Sequence, residues 1–424
     1  MAMDDTGSNR PHLAEWPYNS NESFAFGDRL RAALDAFGPL CVGIDPHPAI
    51  LNELSLGDTL KGLEHFVDLV ISGADKRVGI IKPQVAFFER FGSRGMAILE
   101  DLTQRARGLG LLVIADAKRG DIDTTLQGYA DAWLRPDSPF YCDALTLSPY
   151  LGVNSLKPAF ATAFTNGKGL FVLAATSNPE AAELQQSFTS KNTRLSSDVA
   201  SQVAEWNLRG KVLEYQIARG LTGISDEDLS HWRSTGYFDD YVPHEFLTFT
   251  DAVRARWIRA RLETGANPAE IAQDLSSNRP RVPASREVES WERSVALAPT
   301  DVLKKFASDN DSVIKLGYWG LYDAVVGAAR PKLGPFGVVV GATIDPIRVQ
   351  QTLSDLAVGD YPLPILAPGF GAQGAELSDI KRIFGSRSSD VVANVSRAIL
   401  RHGLSGIGRS IDELNAELTA VKSN

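Results

Sequence analysis

The stretch Leu111–Thr125, LLVIADAKRGDIDTT, decides the fold. It opens as an apolar run, as a strand buried on both faces requires, and such strands belong to parallel sheets covered by helices. It then ends in charge: Asp116 and Lys118, with Arg119 next and Asp121 just beyond. Strand side chains alternate with a period of two, which predicts Asp116 and Lys118 on one side and Asp121 past the strand, where the chain turns. Unpaired charge is heavily penalised in a protein interior. A carboxylate, amine, carboxylate series closing a buried strand is therefore either an ion pair capping the strand end or a functional site.

The same theme recurs along the chain: a short apolar strand, a polar or glycine-rich end, then a helical pattern. An amphipathic helix over Phe24–Phe37 is ended by Gly38-Pro39. Strands are predicted at Leu40–Asp45, Val78–Pro83, Leu111–Lys118, Ala144–Pro149, Leu170–Thr176, Phe336–Thr343, Pro364–Gly369 and Val391–Arg397. Parallel strands need crossover helices, and eight such units predict an α/β fold of the closed (β/α)8 TIM-barrel type. The alternative, an open doubly wound sheet, lacks the G-x-G-x-x-G expected after its first strand. Active sites of this barrel sit at the C-terminal strand ends. Here those ends carry Asp45, Lys82, Asp116 with Lys118, Ser148, Thr176-Ser177-Asn178, Thr343, Gly369 and Arg397. Each alone reads as a cap or turn; together they read as one ring.

The spacing breaks once, between the fifth and sixth strands. Leu195–Asn207 supplies the expected crossover helix, and the excess is rich in charge of both signs, with Trp232, Trp257, Trp291 and Trp319 and helical runs at Thr250–Thr264 and Ser312–Ala329. We read residues 1–23 as a flexible leader, 24–207 with 336–424 as the barrel, and 208–335 as an inserted, mostly helical domain whose aromatics form its core. An insert after the helix that follows strand five emerges at the N-terminal face, so it is not expected to supply catalytic residues.

The chain has 424 residues, 44% hydrophobic and 22% charged, with a net charge of −9. That balance argues against a nucleic-acid partner, which needs a basic face. The two cysteines, Cys41 and Cys142, sit in apolar runs and read as buried thiols of a reducing compartment. No apolar run approaches the roughly 18 residues of a membrane span, and the polar N-terminus lacks the apolar region of a signal peptide. The expected location is the cytoplasm, with no membrane partner.

The glycine-rich segment Ala367–Ala375, APGFGAQGA, follows strand seven, and Arg397 closes strand eight. Backbone N–H groups of such a loop converge on an anion, the arginine fork suits a phosphate, and these two strands are the usual phosphate grip of the barrel. The substrate is therefore read as phosphorylated. Across the mouth, Lys82, Asp116, Lys118 and Asp121 alternate in charge, which holds each lysine protonated. Such a lysine is a poor nucleophile, which disfavours Schiff-base chemistry, but a good fixed cation and proton donor. The six histidines are scattered, without a two-histidine metal pattern. The chemistry that fits uses no cofactor: charge builds on a carbon, which Lys118 stabilises and then protonates.

Several motifs resemble those of the orotidine 5'-phosphate decarboxylases, in the longer bacterial-type branch. They are D-A-K-R-G-D-I at Asp116–Ile122, G-I-D-P-H at Gly43–His47, I-K-P at Ile81–Pro83, S-P-Y-L-G at Ser148–Gly152, T-S-N-P at Thr176–Pro179, V-V-G-A-T at Val339–Thr343, A-P-G-x-G-x-Q-G at Ala367–Gly374 and S-R-A-I-L at Ser396–Leu400. The resemblance covers about Phe24–Asn207 and Phe336–His402. It implies decarboxylation of orotidine 5'-monophosphate to uridine 5'-monophosphate (UMP) in pyrimidine biosynthesis, without a metal. By this resemblance Asp45 and Lys82 would bind ribose hydroxyls, Lys82 also joining the charged array. Asp116 would face the substrate carboxylate and Lys118 would protonate C6. Asp121 and Thr125 would reach into the site of a second subunit, making the enzyme a homodimer. Ser177 would hold the pyrimidine edge, and Gln373, Arg397 and the N–H groups of Gly371 to Gly374 would hold the phosphate. Asp123 and Ser148 depart from that branch, where a small residue and asparagine are usual. Two further readings compete: a nucleotide-binding scaffold without catalysis, and a metal-dependent sugar-phosphate lyase. The intact Lys82, Asp116, Lys118, Asp121 set weighs against the first, and Lys82 in place of an acidic residue against the second.

Overall fold

Eight apolar runs become eight strands: β1 (Leu40–Ile44), β2 (Ile80–Pro83), β3 (Leu112–Arg119), β4 (Ala144–Leu147), β5 (Gly169–Ala175), β6 (Phe336–Val340), β7 (Ile365–Ala367) and β8 (Val391–Val395). In the computed structural model, which describes residues 26–208, 212–214, 222–234, 246–276, 333–354 and 363–423, they pair in sequence order and in parallel, and β1 closes on β8. This is the (β/α)8 barrel. Most of the strands end one to several residues before their apolar-to-polar transition. The polar residues of the expected ring therefore stand mostly on the loops just beyond the ladder, where side chains are free to converge.

The barrel interior is filled from every strand: Cys41, Ile80, Leu112 with Ile114, Ala144, Phe171, Val339, Leu366 and Val392 belong to one buried cluster. The amphipathic helix before β1 (Phe26–Phe37) adds Phe26, Leu30, Ala33 and Leu34 to that cluster. It thus closes the N-terminal end of the barrel. Phe26 meets Phe171 edge to face at 6.1 Å between centroids. It also lies against Gly169, where a Cβ would stand 2.1 Å from the Phe26 ring, so β5 must begin with glycine for the helix to seat. Arg29 of the helix pairs with the buried Asp143, which precedes β4 and accepts from Val113 N at 3.0 Å.

The chain divides into two compact units, Met1–Ala204 with Lys332–Asn424, and Glu205–Pro331. Within the second, Val212–Glu214 pairs antiparallel with Phe246–Thr248, and helices run over Asp226–Ser234, Phe249–Glu263 and Pro268–Ser276. Trp232 and Trp257 are buried in it. The expected leader 1–23, the helical run Ser312–Ala329, Trp291 and Trp319 lie outside the described residues. Among the described residues no helix is long and apolar enough to cross a membrane. Cys41 and Cys142 are both buried free thiols.

Candidate active site

Asp116, on β3, is the hub of the barrel mouth. Its Oδ2 accepts from Lys82 Nζ at 2.8 Å and from Gln84 Nε2 at 2.9 Å. Its Oδ1 accepts from Lys118 Nζ at 2.7 Å and from Thr146 Oγ1 at 3.0 Å. The β2 sequence Ile80-Ile81-Lys82-Pro83 is wholly buried, which turns the Lys82 ammonium inward onto Asp116. Asp45, just after β1, stands 3.9 Å from Lys82 Nζ through Oδ1. Burial opposes the Asp116 charge, but the Lys82 and Lys118 ammoniums outweigh it and hold the carboxyl well below the usual carboxylate range. Burial likewise opposes the Lys82 charge, and Asp116, then Asp45, more than offset it and hold the ammonium above its ordinary value. The result is a fixed row of charge, two ammoniums around one carboxylate, with Lys118 the half-exposed member (side chain 44% exposed).

Regular alternation is not what brings Asp116 and Lys118 together. The β3–β4 register shifts between Ala115 and Arg119, and Lys118 has φ +50°. A bulge with a left-handed residue re-aims the side chain, a common device beside active sites. Gln84, Thr146 and Asn394 are site residues that the sequence reading did not single out. Asn394, on β8, is buried, and its Oδ1 and Asp45 Oδ1 are both buried acceptors without a hydrogen-bond partner among the described residues. The available signal was a polar residue inside a buried apolar strand, as in ALTL and VVANV.

The remaining expected residues surround this row at greater remove. Ser177 is exposed in the turn after β5. That turn is held by Gln185, which accepts from Thr176 N at 2.8 Å and donates to Thr176 Oγ1 at 3.0 Å. Gln373 and Gly374 line an open recess of about 340 Å³ with Thr343, Asp345 and Arg382, and Arg397 is not among its lining residues. Arg397 lies two residues beyond β8, exposed, at the start of a short turn of helix. The N–H groups of Gly371 and Gly374 are engaged by Ala375 O at 2.8 Å and Gly371 O at 2.9 Å. In this conformation the two glycines shape the loop, and the N–H groups of Ala372 and Gln373 are the ones without a backbone acceptor among the described residues.

Asp121 and Thr125 do not join the row. The Asp121 carboxylate accepts from Ile122 N at 2.8 Å and makes no ion pair among the described residues. Thr125 is exposed on the helix Asp123–Leu134. Ile122, next to Asp121 in sequence, and Tyr150 and Leu151 in the loop after β4 are 52%, 79% and 55% exposed. Asp123, the first residue of that helix, has φ +45°, a conformation that favours small residues or Asn and Asp over bulky ones.

Known proteins resemble this chain in sequence and in fold. The family model described as Orotidine 5'-phosphate decarboxylase / HUMPS family matches residues 38–234. An orotidine 5'-phosphate decarboxylase of Streptomyces coelicolor is 35% identical over 404 residues, 94% of this chain and 99% of its own length. One from Salinispora tropica is 47% identical over 279 residues, covering 66% of this chain and 92% of its own. The crystal structure of a candidate orotidine 5'-phosphate decarboxylase from Streptomyces avermitilis superposes with a TM-score of 0.62 at 32% identity, over 96% of this chain and 99% of that one. The orotidine monophosphate decarboxylase structure from Leishmania donovani, at 21% identity and a TM-score of 0.54 over 95% of this chain and all of that one, shares the fold.

Proposed function

The chain belongs to the orotidine 5'-phosphate decarboxylase family, and from that premise we propose how its own residues carry the reaction. The protein decarboxylates orotidine 5'-monophosphate to UMP in pyrimidine biosynthesis. The C6–carboxylate bond breaks, the electron pair stays at C6, and carbon dioxide leaves. We assign the proton that replaces it to Lys118 Nζ, which then recovers its proton from water. The observation that carries this assignment is the Asp116 carboxylate held between Lys82 and Lys118. This sets the Lys118 Nζ at the half-exposed end of the row, beside a carboxylate that we assign to face the substrate's own carboxylate. Asp116 and Lys82 act as fixed charges. Asp45 is assigned to the ribose hydroxyls, as a buried acceptor that lacks a hydrogen-bond partner among the described residues. Ser177 is assigned to the pyrimidine edge. Gln373 and Arg397 are assigned to the phosphate, with the N–H groups of Ala372 and Gln373 as backbone donors and Gly374 shaping the turn. Binding energy from the phosphate, remote from C6, then serves the transition state.

We further propose a homodimer in which Asp121 and Thr125 complete the neighbouring site. Asp121 lacks an ion-pair partner in its own chain among the described residues, and the apolar Ile122, Tyr150 and Leu151 lie exposed close by in sequence or on the adjoining strand end. Two free, buried thiols support a reducing, cytoplasmic setting.

One set of assays tests the proposal. Turnover is followed by the loss of nucleotide absorbance with chelator present. Wild type is expected to stay active and Lys118→Ala to fall by at least about a thousandfold. Mixing Lys118→Ala with Asp121→Ala subunits should restore roughly a quarter of wild-type turnover, because half of the dimers then contain one intact shared site. No restoration would place Asp121 in its own subunit's site. UMP binding without turnover by wild type would favour the scaffold reading, and loss of turnover in chelator the metal-dependent one.

A further inference from the structure

Thr146 occupies a singular place in the barrel. Ala115 pairs with Leu145 and Arg119 with Leu147, so residues 116–118 of β3 stand opposite Thr146 alone on β4. A bulge of this kind leaves backbone groups without ladder partners. At Lys118 the backbone is also left-handed, with φ +50°, a region that long L side chains rarely enter. The Lys118 N–H that the ladder cannot use donates to Thr146 Oγ1 at 2.9 Å, and that hydroxyl donates its own proton to Asp116 Oδ1 at 3.0 Å. Asp116 Oδ1 is the same oxygen that accepts from Lys118 Nζ at 2.7 Å. A single hydroxyl therefore holds the lysine at both ends: its backbone directly, and its ammonium through the carboxylate. A hydroxyl has one proton. Because the ionised carboxylate takes it, an Oγ1 lone pair is left for the Lys118 amide. Thr146 is fully buried, so no solvent substitutes for either bond.

We propose that Thr146 is a positioning residue for Lys118, locking the bulged left-handed backbone so that Nζ is held against Asp116 and aimed at the reacting carbon. This rests on the reading of Lys118 as the proton donor. Valine has nearly the shape of threonine and makes neither bond. With it, the strained backbone loses its restraint and Nζ leaves its place. Serine keeps both bonds.

The test measures kcat, KM and UMP binding for Thr146→Val, Thr146→Ser, Lys118→Ala and the double variant Thr146→Val/Lys118→Ala. Thr146→Val is expected to lower kcat at least about tenfold with UMP affinity and KM within about threefold of wild type, and Thr146→Ser to recover kcat to within about threefold. In the double variant the valine should add no more than about twofold to the loss already caused by Lys118→Ala, because two residues acting as one unit do not add. Wild-type kcat in Thr146→Val, or a Thr146→Ser variant as slow as Thr146→Val, overturns the proposal. If Thr146→Val no longer binds UMP, the kcat of Thr146→Ala against Thr146→Ser decides the same question. Undiminished turnover by Lys118→Ala alone, with position 146 untouched, would identify the donor reading as the one at fault.

Discussion

Two buried aspartates at opposite ends of the barrel face the same physics and do different work. Asp116 sits at the mouth, paired with Lys82 and Lys118; Asp143 sits at the base, between Arg29 and Lys168 (3.7 Å). Burial raises the Asp143 carboxyl, but Arg29 and Lys168 outweigh it and bring it down to about 2. Because the folded-state value lies below the unfolded one near 4, the group stabilises the fold at all pH above about 4 and ceases to as pH falls towards 2. The shift corresponds to about 2 kcal/mol. Asp143→Asn should therefore be less stable at neutral pH by about that much or more, since Arg29 and the buried Lys168 lose the carboxylate they share, and its stability should fall less steeply between pH 4 and 2. Denaturant melts across that range check it; an acid limb as steep as wild type would contradict it. For Lys82, raised above its ordinary value, stability is fully present below about pH 10 and is lost only above it, so the stability contributed by its pair with Asp116 is full from about pH 4 to pH 10 and the pair itself outlasts both limits. The residues legible in the sequence were those whose charge is costly to bury: Asp45, Lys82, Asp116 and Lys118. Thr146 and Asn394 were not, because a single neutral polar residue in an apolar strand carries no periodic signal; nor was Gln84, which follows β2 in the loop and whose partners, Asp116 and Lys118, come from β3.

At the scale of elements, the eight strands were readable because each is a short apolar run between turn signals. Their ends were displaced because composition marks where polarity begins, while the ladder stops where pairing does. The β3 bulge was invisible for a related reason: it is set by register against β4, not by anything within Leu112–Arg119. The loop after β7 shows what glycine contributes. Gly369 adopts φ +112°, and a Cβ there would lie 3.2 Å from Thr343 Cγ2 and 3.4 Å from Thr343 N. An L side chain at such a φ costs about 1–3 kcal/mol. The helix Ile380–Phe384 and β8 follow the loop as regular elements, so the strain of Gly369→Ala should fall on the loop. We expect kcat/KM to drop at least about tenfold with the melting temperature shifted by only a few degrees. Steady-state kinetics with a thermal melt checks this; unchanged kcat/KM would remove the loop from phosphate binding.

For the whole molecule, the chain leaves the barrel after the helix Leu195–Leu208 and returns at β6, and β5 and β6 pair directly, with Leu170 opposite Phe336. The sheet thus closes as if residues 208–335 were a loop, and none of the groups assigned to the reaction belongs to them. Replacing 208–331 with a short linker, which keeps Leu333 in the barrel core, should leave a dimer whose kcat stays within about tenfold of wild type; a folded dimer with far lower turnover would give the insert a part in catalysis. Closure at the other end of the barrel has a consequence in time. The helix Phe26–Phe37 is synthesised early, yet the cluster that seats it adds Phe171, Leu333, Val339, Leu366 and Val392 to the earlier Cys41, Ile80, Leu112, Ile114 and Ala144, and Val392 emerges near the end. At about 5–20 residues per second, its apolar face waits roughly 20 to 70 s before the surface that buries it is complete. Until β8 arrives, Phe26 and Leu30 can be covered only by the earlier-made part of their own core, so the amino-terminal helix reaches its full burial only once the barrel closes.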